Sequence, residues 1–258
     1  MADDALRARL CTRALLPLVE TLAELDPRAR AIAEGPDVVV LVTGGEARAW
    51  LAIGGGRAAA LAEPPGGEVA RLDLGTERAL ADFFAGRVAA AGGALGSAVR
   101  SPRAIGRALR LLARLRVLEP RAEVPAEERV LYTRLVLRFL ARGIAELARP
   151  GGDPAAERLA ARSPDRVYQW RVAETGEAAW LRLRAGRVGS GVGVHPERSP
   201  FVETVFPTTD AAYRVLAGAS SRMDSVARGD VETVGSPEYG RAIARLSQRL
   251  DVVLRGTT

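Results

Sequence analysis

The alternation of residues 166 to 172 sets Tyr168, Trp170 and Val172 on one side of an extended chain and Gln169 and Arg171 on the other, which predicts a half-buried strand. Thr175-Gly176 supplies a turn, and Ala178 to Leu183 a return strand. A third strand, Val188 to Val194, places Gly189, Gly191 and Gly193 on one face and Val188, Val192 and Val194 on the other. A face without side chains lets another group approach the sheet closely. Phe201 to Phe206 and Val231 to Val234 predict a fourth and a fifth strand. Ahead of them, Leu131, Leu135, Phe139 and Leu147 recur at near-helical spacing, with Arg134, Arg138 and Arg142 on another face. Asp210 is the expected N-cap of a short helix ending at Gly218. Ser236 with Pro237 starts a closing helix that carries Tyr239, Ile243, Leu246 and Leu250 on one side.

The same order recurs earlier in the chain. Gly35-Pro36-Asp37 answers to Ser163-Pro164-Asp165, and Trp50-Leu51 with Gly56-Arg57 answers to Trp180-Leu181 with Gly186-Arg187. Ser101-Pro102 with Gly106-Arg107 answers to Ser236-Pro237 with Gly240-Arg241. Three blocks in one order, with drifting offsets, indicate duplication with small loop insertions. Glu119 to Val124, bracketed by Pro120 and Pro125, has the composition of a linker. The expected organisation is therefore a unit over 1–118, a linker over 119–126 and a unit over 127–258. The fold class is α+β, each unit being a roughly five-stranded, mainly antiparallel sheet with helices covering one face.

Composition narrows the chemistry. In 258 residues there are one cysteine, Cys11, one histidine, His195, and no lysine. These counts exclude an intramolecular disulfide, a cysteine or histidine zinc cluster and any lysine nucleophile. The net charge of +6 is spread along the chain, with 16 arginines and 14 acids over residues 1–119 and 21 and 17 over the remainder. Without a basic tail or aromatic interleaving, nucleic acid is not the expected partner. No apolar stretch approaches the roughly 18 residues of a membrane helix, and the N-terminus lacks a signal-peptide pattern, so the expected location is cytoplasmic.

Gly189-Ser190-Gly191-Val192-Gly193 is followed by His195-Pro196 and not by a helix, which argues against a phosphate loop. His195 with Ser190 or Ser199 and Glu197 lacks a nucleophile elbow, and a surface loop histidine is the expectation. Cys11 falls on an amphipathic helix as a small core residue. Arg103, Arg107, Arg110 and Arg114 form a stripe on one helix. That stripe is either a solvated face or a landing surface for anionic lipid or an acidic partner.

The hairpin ending Trp180-Leu181-Arg182-Leu183 with Gly186-Arg187, the segment Asp210 to Gly218 and the segment Ala227 to Gly235 before the last helix together carry a family pattern. With them, residues 130 to 254 resemble the sterol carrier protein type 2 family, and residues 8 to 118 do so more weakly. The resemblance implies a five-stranded sheet with helices on one side, enclosing an apolar tunnel for a sterol, fatty acyl chain or other lipid. The expected activity is noncovalent binding or transfer of such a molecule, chiefly by the second unit, with no catalytic step, cofactor or metal. The expected ligand residues are Tyr168, Trp170, Gly191, Phe201, Phe206, Tyr213, Leu216, Tyr239, Ile243 and Leu246. The alternative is a scaffold or oligomerisation protein whose tunnels are filled by side chains.

Overall fold

The computed structural model describes residues 2–66, 69–87, 101–119, 124–218 and 222–255. The chain divides into two compact units, Met1–Arg116 with Val252–Thr258 and Val117–Asp251. The first thus closes at Arg116, two residues before the expected boundary, while residues 120–123 of the expected linker lie outside the described residues.

In the first unit α1 (Ala2–Leu10) runs into a π-helical turn, Cys11–Leu15, and is followed by α2 (Leu18–Leu25) and α3 (Pro27–Ala33). Leu18, Val19, Leu22 and Ala23 are buried on α2, as an amphipathic helix requires. Strands β1 (Val38–Gly44), β2 (Ala47–Gly54), β3 (Arg57–Leu61) and β4 (Val69–Asp73) lie in the order β3-β2-β1-β4, with β1 and β4 parallel. On the terminal strand β3, the Ala60 amide donates to Glu20 Oε1 at 3.2 Å. Helices α4 (Glu77–Phe84) and α5 (Pro102–Arg114) complete the unit.

The second unit opens with α6 (Ala126–Ala148) and α7 (Pro154–Arg162). Then come β5 (Asp165–Val172), β6 (Ala178–Arg184), β7 (Arg187–Val192) and β8 (Val202–Phe206). After α8 (Thr209–Leu216) and α9 (Arg222–Ala227), β9 (Glu232–Gly235) and α10 (Pro237–Arg255) end the chain. The sheet order is β7-β6-β5-β8-β9, with β5 and β8 parallel and the other pairs antiparallel. Both sheets are therefore mixed, a refinement of the expected mainly antiparallel arrangement. In the first unit four strands occur among the described residues.

The shared strand order is accompanied by shared local devices. Thr76 and Thr208, each at the end of a sheet segment, cap α4 and α8 by accepting from the amides of Ala79 and Ala211. The cap of α8 is thus Thr208 and not Asp210, which lies inside the first turn and pairs with Arg129 at 2.9 Å. Gly55 and Ala185 both turn their hairpins with positive φ, 54° and 45°. A non-glycine residue in this region costs about 1 kcal/mol, so the second turn is held against local preference. Ala185 and Gly186 donate their amides to the Ser163 and Ala160 carbonyls at 2.7 and 2.9 Å, as Gly55 and Gly56 do to Gly35 and Ala33.

The most telling repeat is at the caps of α3 and α7. Asp26 accepts the Arg28 amide on Oδ1 at 3.0 Å, and its Oδ2 accepts Arg114 Nη2 at 2.6 Å. Asp153 accepts the Ala155 and Ala156 amides on Oδ1 at 2.9 and 3.2 Å, and its Oδ2 accepts Arg249 Nε at 3.0 Å. Each carboxylate thus caps one helix and holds an arginine of its unit's closing helix.

Burial works to raise the Asp153 carboxyl, but the Arg249 guanidinium and the two amides outweigh it and hold the carboxyl below its ordinary value. A carboxyl lowered on folding adds stability that is complete above its unfolded value of about 3.9 and is lost as pH falls through the folded value. Asp153→Ala is therefore expected to cost about 1–2 kcal/mol at neutral pH and to flatten the acid limb of stability below about pH 4. Denaturant titrations across that range check it; parallel acid limbs for the two proteins would disprove the role.

Candidate functional site

The pleat of the second sheet separates two chemistries. Residues 165, 167, 169 and 171 of β5 share one face, and Arg166, Tyr168, Trp170 and Val172 the other. On the first face, Arg182 Nε and Nη2 meet Asp165 Oδ1 and Oδ2 at 2.7 and 2.8 Å, and Arg198 joins Asp165 at 3.0 Å. The Arg182 hydrogen bonds lead in holding the Asp165 carboxyl down, at about 2. Further along, Arg171 Nε and Gln169 Nε2 both donate to Glu203 Oε1, at 2.8 and 2.7 Å, and this guanidinium lowers the Glu203 carboxyl.

The glycine face belongs to this same side. Trp180 pairs with Gly191 across β6 and β7, and a Cβ added at Gly191 would overlap the Trp180 indole. The group that approaches the bare strand is therefore a side chain of the neighbouring strand. His195 then packs edge-on against Trp180, with ring centres 4.6 Å apart. Its amide donates to Gln169 Oε1 at 3.1 Å, and its Nδ1 accepts the Glu197 amide at 3.2 Å. His195 is 6% exposed, which corrects the expectation of a surface loop histidine. Gly191 does not share a face with Tyr168 and Trp170, so it is not part of one wall with them.

The opposite face is aromatic. Tyr168, Trp170 and Phe206 are buried, with Tyr168 opposite Leu181 and Val202, and Trp170 opposite Ala179 and Thr204. A ladder of rings leads outward: Tyr168 to Phe201 at 6.4 Å, then Phe201 to Tyr239 at 5.3 Å, both edge-on. Arg166 lies over the last two rings, 4.5 Å from the Phe201 centre and 3.9 Å from that of Tyr239. The hydroxyls of Tyr168 and Ser163 are buried side by side, near Arg166. Burial pushes the Tyr168 phenol up, against the charge of Arg166 and the hydrogen bonds of Ser163 and Arg166.

Ile243 and Leu246 are buried on α10. Tyr213 and Leu216 belong to a separate cluster with Val124 and Tyr132, in which the Tyr132 hydroxyl donates to the Leu216 carbonyl at 3.2 Å. The ten expected ligand residues therefore divide among an aromatic face, a helix, a second cluster and the far side of the sheet. Arg166 and Ser163 were not among the expected ligand residues. The available signal was an arginine at an inward position of an alternating strand.

The arginine stripe of α5 is likewise divided. Arg107 is buried and donates to three carbonyls at the end of α3, Ile32 at 3.2 Å, Ala33 at 2.7 Å and Pro36 at 2.6 Å. Arg114 is engaged by Asp26, while Arg103 and Arg110 are exposed. Two arginines of four tie the first unit together, so the stripe is not one free cationic surface. Burial pushes the Cys11 thiol up to about 12, which makes it a core residue and not a nucleophile. A cleft of about 500 Å³ in the first unit has Glu20, Glu24, Arg30, Glu34 and Arg57 in its lining, a charged wall unlike an apolar tunnel. Among the described residues no group of three or more His, Cys, Asp or Glu could hold a metal ion, and no helix is long and apolar enough to cross a membrane.

Substitution separates these roles. Arg107→Gln strips two or more carbonyls of a charged donor and is expected to cost about 1.5–3 kcal/mol, whereas the double substitution of Arg103 and Arg110 by Gln should stay within about 0.5 kcal/mol. Denaturant midpoints measure both, and equal losses would contradict the division. Gly191→Val is expected to expel the Trp180 indole, to destabilise by about 1–3 kcal/mol and to shift tryptophan emission to the red. Unchanged emission in the folded variant would show that the indole does not rest on the glycine.

No protein-family model matches the chain, and no curated protein matches it. Among solved structures, the chain is similar to a double mutant of the sec-alkyl sulfatase PisA1, at 15% identity and a TM-score of 0.27. It is also similar to the stereoselective inverting sec-alkylsulfatase Pisa1 from Pseudomonas sp., at 16% identity and a TM-score of 0.25. Each comparison covers 64% of this chain and 32% of the sulfatase, so the chain spans about a third of their length. The solved chains matched are those of an enzyme, against the expectation of a chain without a catalytic step. No reaction is carried over from them, since likeness at these TM-scores fixes neither a shared fold nor a correspondence of residues.

Proposed function

We propose that the second unit binds a hydrophobic small molecule noncovalently beside the aromatic face of its sheet, in the manner of the sterol carrier protein type 2 family that its sequence resembles. One observation carries the reading: Tyr168, Trp170 and Phe206 form a buried aromatic wall on one face of the sheet, with the polar Tyr168 and Ser163 hydroxyls buried beside it. A ligand with an apolar body and a polar end would satisfy both features at once. Ile243 and Leu246 of α10 supply further buried apolar surface in the same unit.

A fluorescent long-chain alcohol is expected to bind the purified protein saturably and to be displaced by unlabelled 1-dodecanol. Ile243→Arg, which places a charge in a buried position, should weaken uptake by at least about tenfold, and Ile243→Phe, which only adds volume, should weaken it less. Circular dichroism of both variants verifies folding. Absence of saturable uptake by the unsubstituted protein would mean that side chains fill the interior, and the scaffold reading would take its place.

A further inference from the structure

We propose that His195 is the clasp of a pH-sensitive strap: the segment 193–201 closes over the Gln169 and Trp180 face of the second sheet while the imidazole is neutral, and lifts from it when the imidazole takes up a proton. The segment joins β7 to β8. Its ends are tied by backbone bonds, the Gly193 amide to the Ala178 carbonyl and the Phe201 amide to that of Val167, both at 2.7 Å. Between these ends the strap is held by side chains. The His195 amide donates to Gln169 Oε1 at 3.1 Å, and the ring rests edge-on against Trp180. Glu197 and Arg198 reach Arg182 and Asp165 at 3.4 and 3.0 Å, but both are exposed, and such pairs contribute little. His195 is buried and carries the attachment.

The direction of one hydrogen bond makes this attachment conditional. His195 Nδ1 accepts the Glu197 amide at 3.2 Å, so the ring is neutral and its proton sits on Nε2. A second proton, on Nδ1, would set one N–H against another and cancel the bond. The neighbouring charges do not favour an imidazolium either. On this face Asp165 of β5 is held by Arg182 and Arg184 of β6 and Arg198 of the strap, Glu203 of β8 by Arg171, and Glu197 of the strap by Arg182. Arg187 of β7 lies opposite Arg184. Three carboxylates thus stand among five guanidiniums. A buried cation whose neighbouring carboxylates are already paired is costly, so proton uptake goes with lifting of the ring into water. The lifted strap binds the extra proton, and closure is therefore complete above the ordinary imidazole range, about 6.5, and is lost as pH falls below it.

The test follows backbone amide exchange of the full chain by nuclear magnetic resonance at about pH 7.5 and about pH 5.5, each rate divided by the intrinsic rate at that pH. Protection of the His195 and Glu197 amides is expected to fall about tenfold, the change that one proton linked to opening gives a unit below about 6.5, while the amides of β5 and β6 keep theirs. The imidazole nitrogen shifts of His195, followed in the same samples, should report proton uptake in step with that loss. His195→Asn offers an acceptor but takes no proton, so its protection should be equal at the two pH values, whatever its level. Unchanged protection in the unsubstituted protein would overturn the clasp, as would an imidazole that becomes charged with the strap closed or stays neutral while it opens. The same loss in His195→Asn would assign the pH dependence to another group, and a parallel loss across β5 and β6 would mean unfolding of the sheet; either result overturns the proposal.

Discussion

An aspartate shared between a helix N-terminus and an arginine of the closing helix is the constraint on which each unit depends. One carboxylate oxygen satisfies amides that would otherwise lack partners, and the other takes the guanidinium, so a short helix and the last helix are fixed by a single side chain. The closing helix joins each unit late in the chain, and without such a tie its packing would rest on apolar contact alone. Asp26 with Arg114 and Asp153 with Arg249 perform the same task in two copies that otherwise share little sequence. A charged contact of this kind is directional in a way that leucine packing is not, and it fixes the angle as well as the proximity of the helix.

With the helices placed, the pleat of the second sheet distributes function. One face is electrostatically closed: its arginines are matched by Asp165 and Glu203, and the loop carrying His195 is pinned to Gln169 and Trp180. The other face is aromatic, with Arg166 stacked over the Phe201 and Tyr239 rings and the Tyr168 and Ser163 hydroxyls buried nearby. That contrast within a single strand, between Asp165 and Arg166 as neighbours in sequence, locates the candidate site.

Much of the fold was legible in the sequence. The alternation at 166–172 placed Tyr168, Trp170 and Val172 on one face and Gln169 and Arg171 on the other, and the register shows that split. The ordered repeats at Trp50 and Trp180 anticipated two sheets with the same strand order. The parallel pairing of β5 with β8 was not legible, because periodicity fixes which side of a strand is buried but not which strand lies beside it. The site was read less well. Periodicity proposed Gly191 as room for a ligand, whereas the space is taken by Trp180 from across the strand pair. It proposed four equivalent arginines on α5, yet two of them are used within the unit, since helical spacing does not reveal the carbonyls of Ile32 and Ala33 or the carboxylate of Asp26. Arg166 went unnoticed because a lone arginine in an apolar alternation looks like an interruption and not a signal.

The Glu20 carboxylate that accepts the Ala60 amide also bears on how the chain behaves in a crowd. A terminal strand offers unpaired backbone donors to any extended chain it meets, and one of the donors of β3 is already occupied by a charged group that repels a second strand. In the second sheet the terminal strand β9 is only four residues long, and β7 ends near Val192 and Val194, 45% and 56% exposed. The two copies therefore differ in how their sheet edges are covered as well as in chemistry.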